Sequence, residues 1–372
     1  MDRKPYDDLS RRHFLQGAVA GAASLGLGPA FLAPQPATAA TGKQVLFHPR
    51  VDSLQVVGVH DPAMTREVRP RCSWAEQEEL VADRVVERNI DRMALALAGE
   101  TDPGKAWARI FVKPPDRPWD KVRVAIKTNN IGQQHTRGAV MRKICNVFTG
   151  HLGVRPSSIH IYDGVHGRNL DRKTPYQDRI PGVRVMNTWG GATTPVDVPA
   201  PWSRGTGRAA CVHAVASGEV DILVNVAVCK GHGGQFGGFT MTMKNHFGTF
   251  DPKWGHRAQA TEYLLAINRT PQILGIVSAA TGRIEHPRQQ LCIVDALWAS
   301  QDGPQAGSSE QPNRLFMGTL SPVLDYQVAT RFRRDTMNWP IDEDVTGRFL
   351  SAFGLSPKDL PEGGRILDAT GG

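Results

Sequence analysis

Two patterns of apolar residues alternate along the chain. One is a short continuous apolar run, and the other is a longer segment, or stripe, in which apolar residues recur at helical spacing among polar ones. The apolar runs predict four buried β-strands, at 122–127, 159–163, 221–228 and 291–295. The stripes predict helices at 76–98, 137–152, 208–218, 258–281 and 322–334, and one more in the tail from about residue 342. This alternation indicates an α/β fold with a mostly parallel sheet flanked by helices, in which 122–163 forms a right-handed βαβ unit.

Two segments interrupt the alternation. Residues 101–120 are rich in proline and charge and predict a loop. Residues 164–207 are rich in Gly, Pro and Trp and predict a loop-rich insertion or cap with one strand at 183–187. Ser73 and Glu76 form a capping box at the start of the first helix. The predicted organisation is a helical and loop region at 40–120, an α/β domain at 121–340 with the insertion at 164–207, and a C-terminal tail with one helix at 341–372.

The first 39 residues have the features of a cleaved export signal. The sequence SRRHFLQ at 10–16 is a twin-arginine pattern, an apolar run follows at 17–33, and Ala37-Thr38-Ala39 is a small-residue cleavage site. The alternative is a membrane anchor, for which the run is short and is interrupted by prolines. We expect export by the twin-arginine machinery to the periplasm or the extracellular space, with no transmembrane segment in the mature chain.

Charge and cysteine content narrow the class of function. The net charge is +8, and loss of the first 39 residues would leave about +7, which favours anionic partners. No dense block of Lys and Arg occurs, so nucleic acid is not an expected partner. The five cysteines contain no C-x-x-C pair, which disfavours a zinc ribbon or an iron–sulfur ligand run. Dinucleotide, Walker A and nucleophile-elbow motifs are also missing, so the cofactor is unknown.

The segment 223–248, LVNVAVCKGHGGQFGGFTMTMKNHFG, concentrates the residues best suited to chemistry. Its strand ends in a glycine loop whose backbone N–H groups can approach an anion closely. The predicted catalytic residues are Lys230, His232, Lys244 and His246. The loop residues predicted to bind the ligand are Gly233, Gly234, Gly237, Gly238 and, beyond the loop, Asn245.

Polar residues also follow the other predicted strands. In open α/β sheets, ligands bind outside the carboxyl ends of the strands, so these residues should converge on one edge. The predicted ligand-binding residues from the other strand ends are Lys127, Asn129, Asn130, Asp163 and Asp295.

Several of these stretches together resemble the domain of unknown function 362 family. The resemblance covers about 120–335 and rests on four stretches. They are VRVAIKTNN at 122–130, the strand, glycine loop and MKNHFG sequence within 222–248, Asp295 with the Asp-Gly-Pro sequence at 302–304, and GTLSPVLDYQVAT at 318–330. It implies a fold and a site, but no activity. The residues on which it places weight are Lys127, Asn129, Lys230, His232, Lys244, Asn245, Asp295 and Asp325. Thr128 departs from the proline usual in the family, and the ferredoxin-like cysteine motifs of many relatives do not occur here.

The leading functional hypothesis is an exported enzyme that acts on a small phosphate- or carboxylate-bearing molecule. In it, Lys230 and Lys244 bind the anion, the glycine loop cradles it, and His232 or His246 moves a proton. Either lysine, if desolvated, could act as a base or as a Schiff-base nucleophile. One alternative is a ligand-binding or accessory protein that matures a partner in an exported redox system. Another is a metal-dependent hydrolase that uses the two histidines and Asp295.

Overall fold

An eight-stranded sheet organises the described part of the chain. The structure is a computed structural model that describes residues 47–164, 170–187, 193–277 and 284–370, so the predicted export signal lies outside the described residues. In chain order the strands are β1 (Val57–His60), β2 (Val124–Lys127), β3 (Ile159–Asp163), β4 (Arg184–Asn187), β5 (Ile222–Val228), β6 (Gln289–Ala296), β7 (Arg314–Gly318) and β8 (Leu367–Asp368).

The strand order in the sheet is β8-β1-β7-β6-β5-β2-β3-β4. Strands β6, β5, β2, β3 and β4 pair in parallel, and β7 is antiparallel to both of its neighbours, β1 and β6. The chain moves outward from β2 to β4 on one side and from β5 to β7 on the other. The order therefore reverses between β2 and β5, which is where ligands bind in sheets of this type.

Helices cover both faces of this sheet. They are α1 (Trp74–Leu80), α2 (Asp83–Ala98), α3 (Pro103–Ile110), α4 (Gly138–Asn146), α5 (Leu170–Lys173), α6 (Tyr176–Arg179), α7 (His213–Ala216), α8 (Thr242–Asn245), α9 (Ala260–Ile267), α10 (Pro271–Leu274), α11 (Ser321–Gln327) and α12 (Glu343–Ser351). Helices α4 and α11 continue as π-helical turns at Val147–His151 and Val328–Arg334. Short 3₁₀ turns lie at Pro62–Met64, Trp119–Lys121, Pro156–Ser158, Gly234–Phe236, His246–Gly248, Trp254–His256, Pro357–Asp359 and Pro361–Gly363.

Alternating side chains of the central strands enter two separate apolar cores. In β5, Val224 and Val226 pack into the core under α2, α3 and α4, whereas Leu223 packs into the core under α9, α11 and α12. Every residue of β5 and β6 is buried, as the continuous apolar runs predict for strands covered on both faces. The α/β fold class and the parallel βαβ unit formed by β2, α4 and β3 are confirmed.

Four two-stranded ribbons extend from the sheet. They pair Asn130–Ile131 with Gln134–His135, Thr193–Asp197 with Arg208–Val212, Lys230–Gly231 with Phe239–Thr240, and Gly275–Val277 with Ile284–Pro287. The first and third of these ribbons follow β2 and β5 directly. They therefore build the edge of the sheet at which the predicted site residues were expected to meet.

Several local predictions were wrong. Residues 101–120 are not all loop, because Pro103 occupies the first position of α3, where its missing N–H costs nothing, and the Asp102 side chain accepts from Lys105 N. The segment 208–218 begins as a strand and becomes helical only at His213. The predicted helix at 76–98 divides at Val81, which leaves the helix to pair with Thr65 and is buried. The confirmed capping box of Ser73 and Glu76 starts α1.

The sheet also draws strands from outside the predicted central region. Strand β1 lies within 40–120 and β8 lies in the tail. Strand β4 confirms the strand predicted at 183–187, and it joins the sheet although it lies within the predicted insertion. The end of the predicted helix at 258–281 is the strand Gly275–Val277. Across the described residues, no helix combines the length and apolar character needed to cross a bilayer.

Candidate functional site

Lys127, the last residue of β2, is wholly enclosed at the point where the strand order reverses. Its Nζ donates to Asp163 Oδ1 at 2.9 Å, to Asn245 Oδ1 at 3.0 Å and to the Thr128 carbonyl at 2.6 Å. Three acceptors satisfy the three hydrogens of an ammonium group. Burial lowers the pKa of Lys127, and the Asp163 carboxylate opposes that shift. This buried ion pair joins the ends of β2 and β3.

Asn245, the last residue of α8, links this pair to β5. Its Oδ1 accepts from Lys127 Nζ and, at 3.2 Å, from Asn129 Nδ2. Its Nδ2 donates to Asn225 Oδ1 at 2.9 Å and lies 3.3 Å from the carbonyl oxygens of Lys127 and Val226. A buried amide that is satisfied on both sides fixes the position of α8, and therefore of the preceding residue, Lys244.

Asp163 and Asn130 form the wall beside Lys127. Asp163 Oδ2 accepts from Asn130 N at 2.6 Å, which anchors the ribbon that follows β2. The side-chain nitrogen and oxygen of Asn130 are both buried without a hydrogen-bond partner among the described residues, and the same holds for Asn129 Oδ1. Buried amide atoms without partners are rare because each costs about 1–3 kcal/mol. The strand end therefore carries unused hydrogen-bonding capacity.

Lys230 is buried on the other side of this edge, two residues after the end of β5. Its Nζ donates to the Ile131 carbonyl at 2.5 Å and to the Gln134 carbonyl at 2.8 Å. Burial lowers the pKa of Lys230 to about 7, and the charges of Arg137 and Lys127 act in the same direction. The arrangement makes Lys230 a clamp between the ribbons that follow β2 and β5.

Lys244 differs from the other two lysines because its Nζ makes no hydrogen bond or ion pair with any described residue. The nitrogen lies 3.7 Å from the centre of the Phe247 ring and 4.7 Å from the centre of the Phe236 ring. Burial lowers the pKa of Lys244 to about 7, the charge of Lys127 lowers it further, and Asp163 opposes the shift. The two ring faces favour the charged form by about 1–2 kcal/mol. Lys244 as a whole residue remains partly exposed.

His232 lies at the mouth of the site, partly exposed and beside Lys244. Its ring packs edge to face on Phe236, with centres 4.5 Å apart, and stacks at 6.4 Å on His256. Its Nδ1 accepts from Gly233 N at 2.8 Å. In a neutral ring this bond leaves the hydrogen on Nε2, which has no acceptor among the residues that the structure describes. Burial and the charge of Lys244 lower the pKa of His232 to about 3.

The glycine loop turns the chain back between Lys230 and Phe239. Gly237 and Gly238 have φ values of +88° and +86°, which favour glycine. Gly233 precedes and Gly234 begins the 3₁₀ turn, and both are exposed. Gly231 packs so closely on the Gln301 carbonyl that a Cβ would overlap it, and its N–H donates to the Asp302 carbonyl at 3.2 Å. The predicted loop therefore rests on the Asp-Gly-Pro segment that follows β6.

His246 and Asp295 lie away from the mouth. His246 Nε2 donates to Gln289 Oε1 at 2.6 Å, its Nδ1 lies 3.0 Å from Thr249 Oγ1, and burial lowers its pKa to about 3. Asp295 Oδ2 accepts from Arg137 N at 2.9 Å at the start of α4. Both side chains are fully buried, and their partners indicate structural roles.

Asp325, one of the residues that the family resemblance singles out, binds the backbone at the start of α8. Its two oxygens accept from Thr242 N at 2.9 Å and from Met243 N at 2.8 Å. Burial raises the pKa of Asp325 to about 7, against the effect of these bonds. Asp325 thus holds the first turn of the short helix that carries Lys244.

Sequence reasoning missed three residues of this site. Asn225, a polar residue inside the apolar run of β5, donates to the Thr242 carbonyl at 2.8 Å and accepts from Asn245. Phe236 and Phe247 surround Lys244. The amide in an otherwise apolar strand was a detectable signal for Asn225. For the two rings, no signal distinguished them from ordinary core residues.

No group of three or more His, Cys, Asp or Glu side chains that could hold a metal ion occurs in the part of the chain that the structure describes. His232, His246 and Asp295 are therefore not brought together as a metal site. A separate groove of about 460 Å³ on the face of β2, β3 and β4 is lined by Arg123, His160 and other residues, none of which was predicted for the site.

Comparison with known proteins supports the resemblance over part of the chain. No curated protein and no solved structure matches it. The family described as "Domain of unknown function (DUF362)" matches residues 181–330, which contain β5, the glycine loop, α8 and Asp325. The matched range does not include Lys127 or Asp163. Over residues 181–330 the chain is therefore similar to this family of unknown function.

Proposed function

We propose that this chain is an exported α/β enzyme whose strand-end site binds and acts on a small molecule that bears a phosphate or carboxylate group. The observation that carries the proposal is the imbalance of charge at the reversal of strand order. Among the described residues, Asp163 is the one carboxylate that raises the pKa of all three lysines, Lys127, Lys230 and Lys244. Three ammonium groups thus interact with a single carboxylate.

A bound anion would supply the negative charge needed to balance these lysines. Burial and the charge of Lys127 lower the pKa of both Lys230 and Lys244. A bound phosphate or carboxylate next to them would restore their charged forms, since an opposite charge at close range favours an ammonium group. The buried amide of Asn130, which has no partner among the described residues, adds a donor for the same anion.

The mouth of the site supplies the remaining parts. The exposed Gly233 and Gly234 allow a ligand to approach the backbone closely, and Lys244 is the partly exposed member of the three lysines. Of the two predicted histidines, His232 is the one that the geometry favours for assisting proton transfer, because its neutral ring can donate a hydrogen bond through Nε2, whereas His246 is enclosed among Gln289, Asn225 and Thr249.

Calorimetric titration of the purified protein with sulfate, inorganic phosphate and malonate tests the binding step. We expect binding to the parent, and at least tenfold weaker binding to Lys244→Met. Lys253→Met is the matched control, because Lys253 is an exposed lysine that also lies over a ring, that of Trp254 at 5.3 Å, and it should bind as the parent does. Equal affinity in the parent and Lys244→Met would overturn the proposal.

The export part of the proposal rests on the twin-arginine pattern at 10–16. We expect the full chain to reach the periplasm without residues 1–39, and Arg11→Lys with Arg12→Lys to keep it in the cytoplasm. Fractionation and N-terminal sequencing measure both. Export of the double variant at the parent's level would contradict a twin-arginine route.

A further inference from the structure

The three lysines of the site differ in how many acceptors their Nζ atoms meet. Lys127 donates to three acceptors and Lys230 to two, whereas the Nζ of Lys244 has none among the described residues. An ammonium group needs acceptors for three hydrogens, and a neutral amine does not. Lys127 therefore meets the three acceptors that an ammonium group needs, and Lys244 is the lysine best suited to exist as a free amine.

The surroundings of Lys244 leave its nitrogen lone pair available. Two phenyl rings cover its sides, at 3.7 Å for Phe247 and 4.7 Å for Phe236, and neither ring accepts a conventional hydrogen bond. Lys244 as a residue is partly exposed, unlike Lys127 and Lys230. Burial lowers the pKa of Lys244 to about 7, and the charge of Lys127 acts in the same direction, which makes the amine a major form at neutral pH.

We propose that Lys244 is a nucleophile that forms an imine with the carbonyl group of a small anionic aldehyde or 2-oxo acid. This inference rests on the proposed function, because the anionic group of the substrate is the part that the lysine-rich site would hold. It narrows the substrate class from any small anion to one that carries a carbonyl carbon next to the anion-binding groups.

The step balances without an oxidant or a reductant. The Lys244 nitrogen attacks the carbonyl carbon, a C–N bond forms, and the carbonyl electron pair moves to oxygen. A proton passes from nitrogen to that oxygen and gives a carbinolamine. Loss of water then breaks the C–O bond and leaves the imine.

His232 is placed to assist this proton transfer. It contacts the same Phe236 ring as Lys244, and its Nδ1 is held as an acceptor by Gly233 N. The Nε2–H of the neutral ring can donate a hydrogen bond to the developing oxyanion or to the carbinolamine hydroxyl group, while the proton itself passes from the Lys244 nitrogen to that oxygen.

Reductive trapping tests the proposal on the intact protein. The protein is incubated at pH 7.5 with glyoxylate or pyridoxal 5′-phosphate and sodium cyanoborohydride, and modified lysines are mapped by peptide mass spectrometry. We expect a reduced adduct on Lys244, formed at least about tenfold faster than on Lys253, because Lys253 is an exposed lysine whose ammonium group pairs with the Asp251 carboxylate, whereas Lys244 has no acceptor among the described residues. Sulfate should slow the labelling of Lys244 and leave that of Lys253 unchanged.

Two variants complete the test. Lys244→Arg keeps the charge but cannot form an imine, so the site-specific adduct should disappear while sulfate binding remains. Lys253→Arg should label as the parent does. Sulfate binding with no faster labelling of Lys244 than of Lys253 would overturn the imine and leave the proposed anion site intact. Loss of both would overturn the proposed function as well.

Discussion

The Nζ atom of Lys244 lies 3.7 Å from the centre of the Phe247 ring, three residues further along the chain. Helix α8 ends at Asn245 and passes directly into the 3₁₀ turn His246–Gly248, which brings Phe247 back beneath the lysine. Asn245, between them, is fixed by Lys127 and Asn225. The contact between the lysine and the ring is therefore held by the same polar network that joins β2 to β5.

Anion binding should depend on pH through Lys244 and Lys230. Each has a pKa lowered to about 7 by burial, and the charges that act on one or both are Lys127, Arg137 and Asp163. His232 and His256 also lie at the mouth, and both have lowered pKa values. Because a bound anion raises the pKa values of the two lysines, binding takes up protons above about pH 7, and affinity for sulfate falls as pH rises. Below about pH 7 both lysines are already charged, so they no longer make the affinity for sulfate depend on pH.

Calorimetry of sulfate binding between pH 6 and 9 measures this dependence. In Lys244→Arg the uptake should fall by about one proton for each sulfate bound. A sulfate affinity that is constant or rises over this range would show that neither lysine charges on binding.

Asp163→Asn should destabilise the fold strongly. The substitution removes the carboxylate from the buried ammonium of Lys127, 2.9 Å away, and leaves it facing neutral acceptors. Breaking one partner of a buried ion pair costs about 3–5 kcal/mol. Urea unfolding monitored by circular dichroism measures the loss. Asp197→Asn, which removes an exposed carboxylate paired with Arg208, is the control and should change the free energy of unfolding little.

Gly248→Ala should disturb the site through packing alone. A Cβ at this position would lie 2.7 Å from Lys127 Nζ and would also crowd Asp163 Oδ1. Overpacking of this kind costs about 1–3 kcal/mol, and sulfate binding should weaken with it. Gly347→Ala in α12 meets no atom within 4 Å and should be neutral or stabilising. Equal stability of the two variants would mean that the strand ends are less tightly packed than described.

Asp325→Asn should displace Lys244 without touching it. Asp325 accepts hydrogen bonds from the backbone N–H groups of Thr242 and Met243. The amide hydrogens of an asparagine would point at one of these N–H groups, and that hydrogen bond would be lost. We expect a loss of about 1–3 kcal/mol in unfolding free energy and weaker sulfate binding. Retained sulfate affinity at reduced stability would show that α8 keeps Lys244 in place without this support.

The central strands could be predicted from the sequence, since the apolar runs of β5 and β6 admit few other structures, and so could the meeting of Lys127, Asp163 and Asn245 at the strand ends. Strands β1, β7 and β8 could not, because runs of two to five residues carry little periodic signal and form only when the sheet provides a partner. Helix α3 was hidden by the proline that starts it.

The separate roles of the site residues depended on contacts between distant segments. Lys230 and Lys244 look alike in sequence, yet one is clamped by carbonyls from 131 and 134 and the other lies between two rings. His246 and Asp295 were predicted as site residues because of the segments that carry them. Their partners, Gln289 and Arg137, come from elsewhere in the chain and place them in the interior.

Direct measurement of the Lys244 pKa tests the central claim most closely. Lysine side-chain NMR, with the signal assigned from its loss in Lys244→Arg, can follow the titration with and without sulfate. The account predicts a pKa of about 7 in the free protein, raised when sulfate binds. A pKa near the ordinary value of about 10.4 that does not respond to sulfate would contradict it.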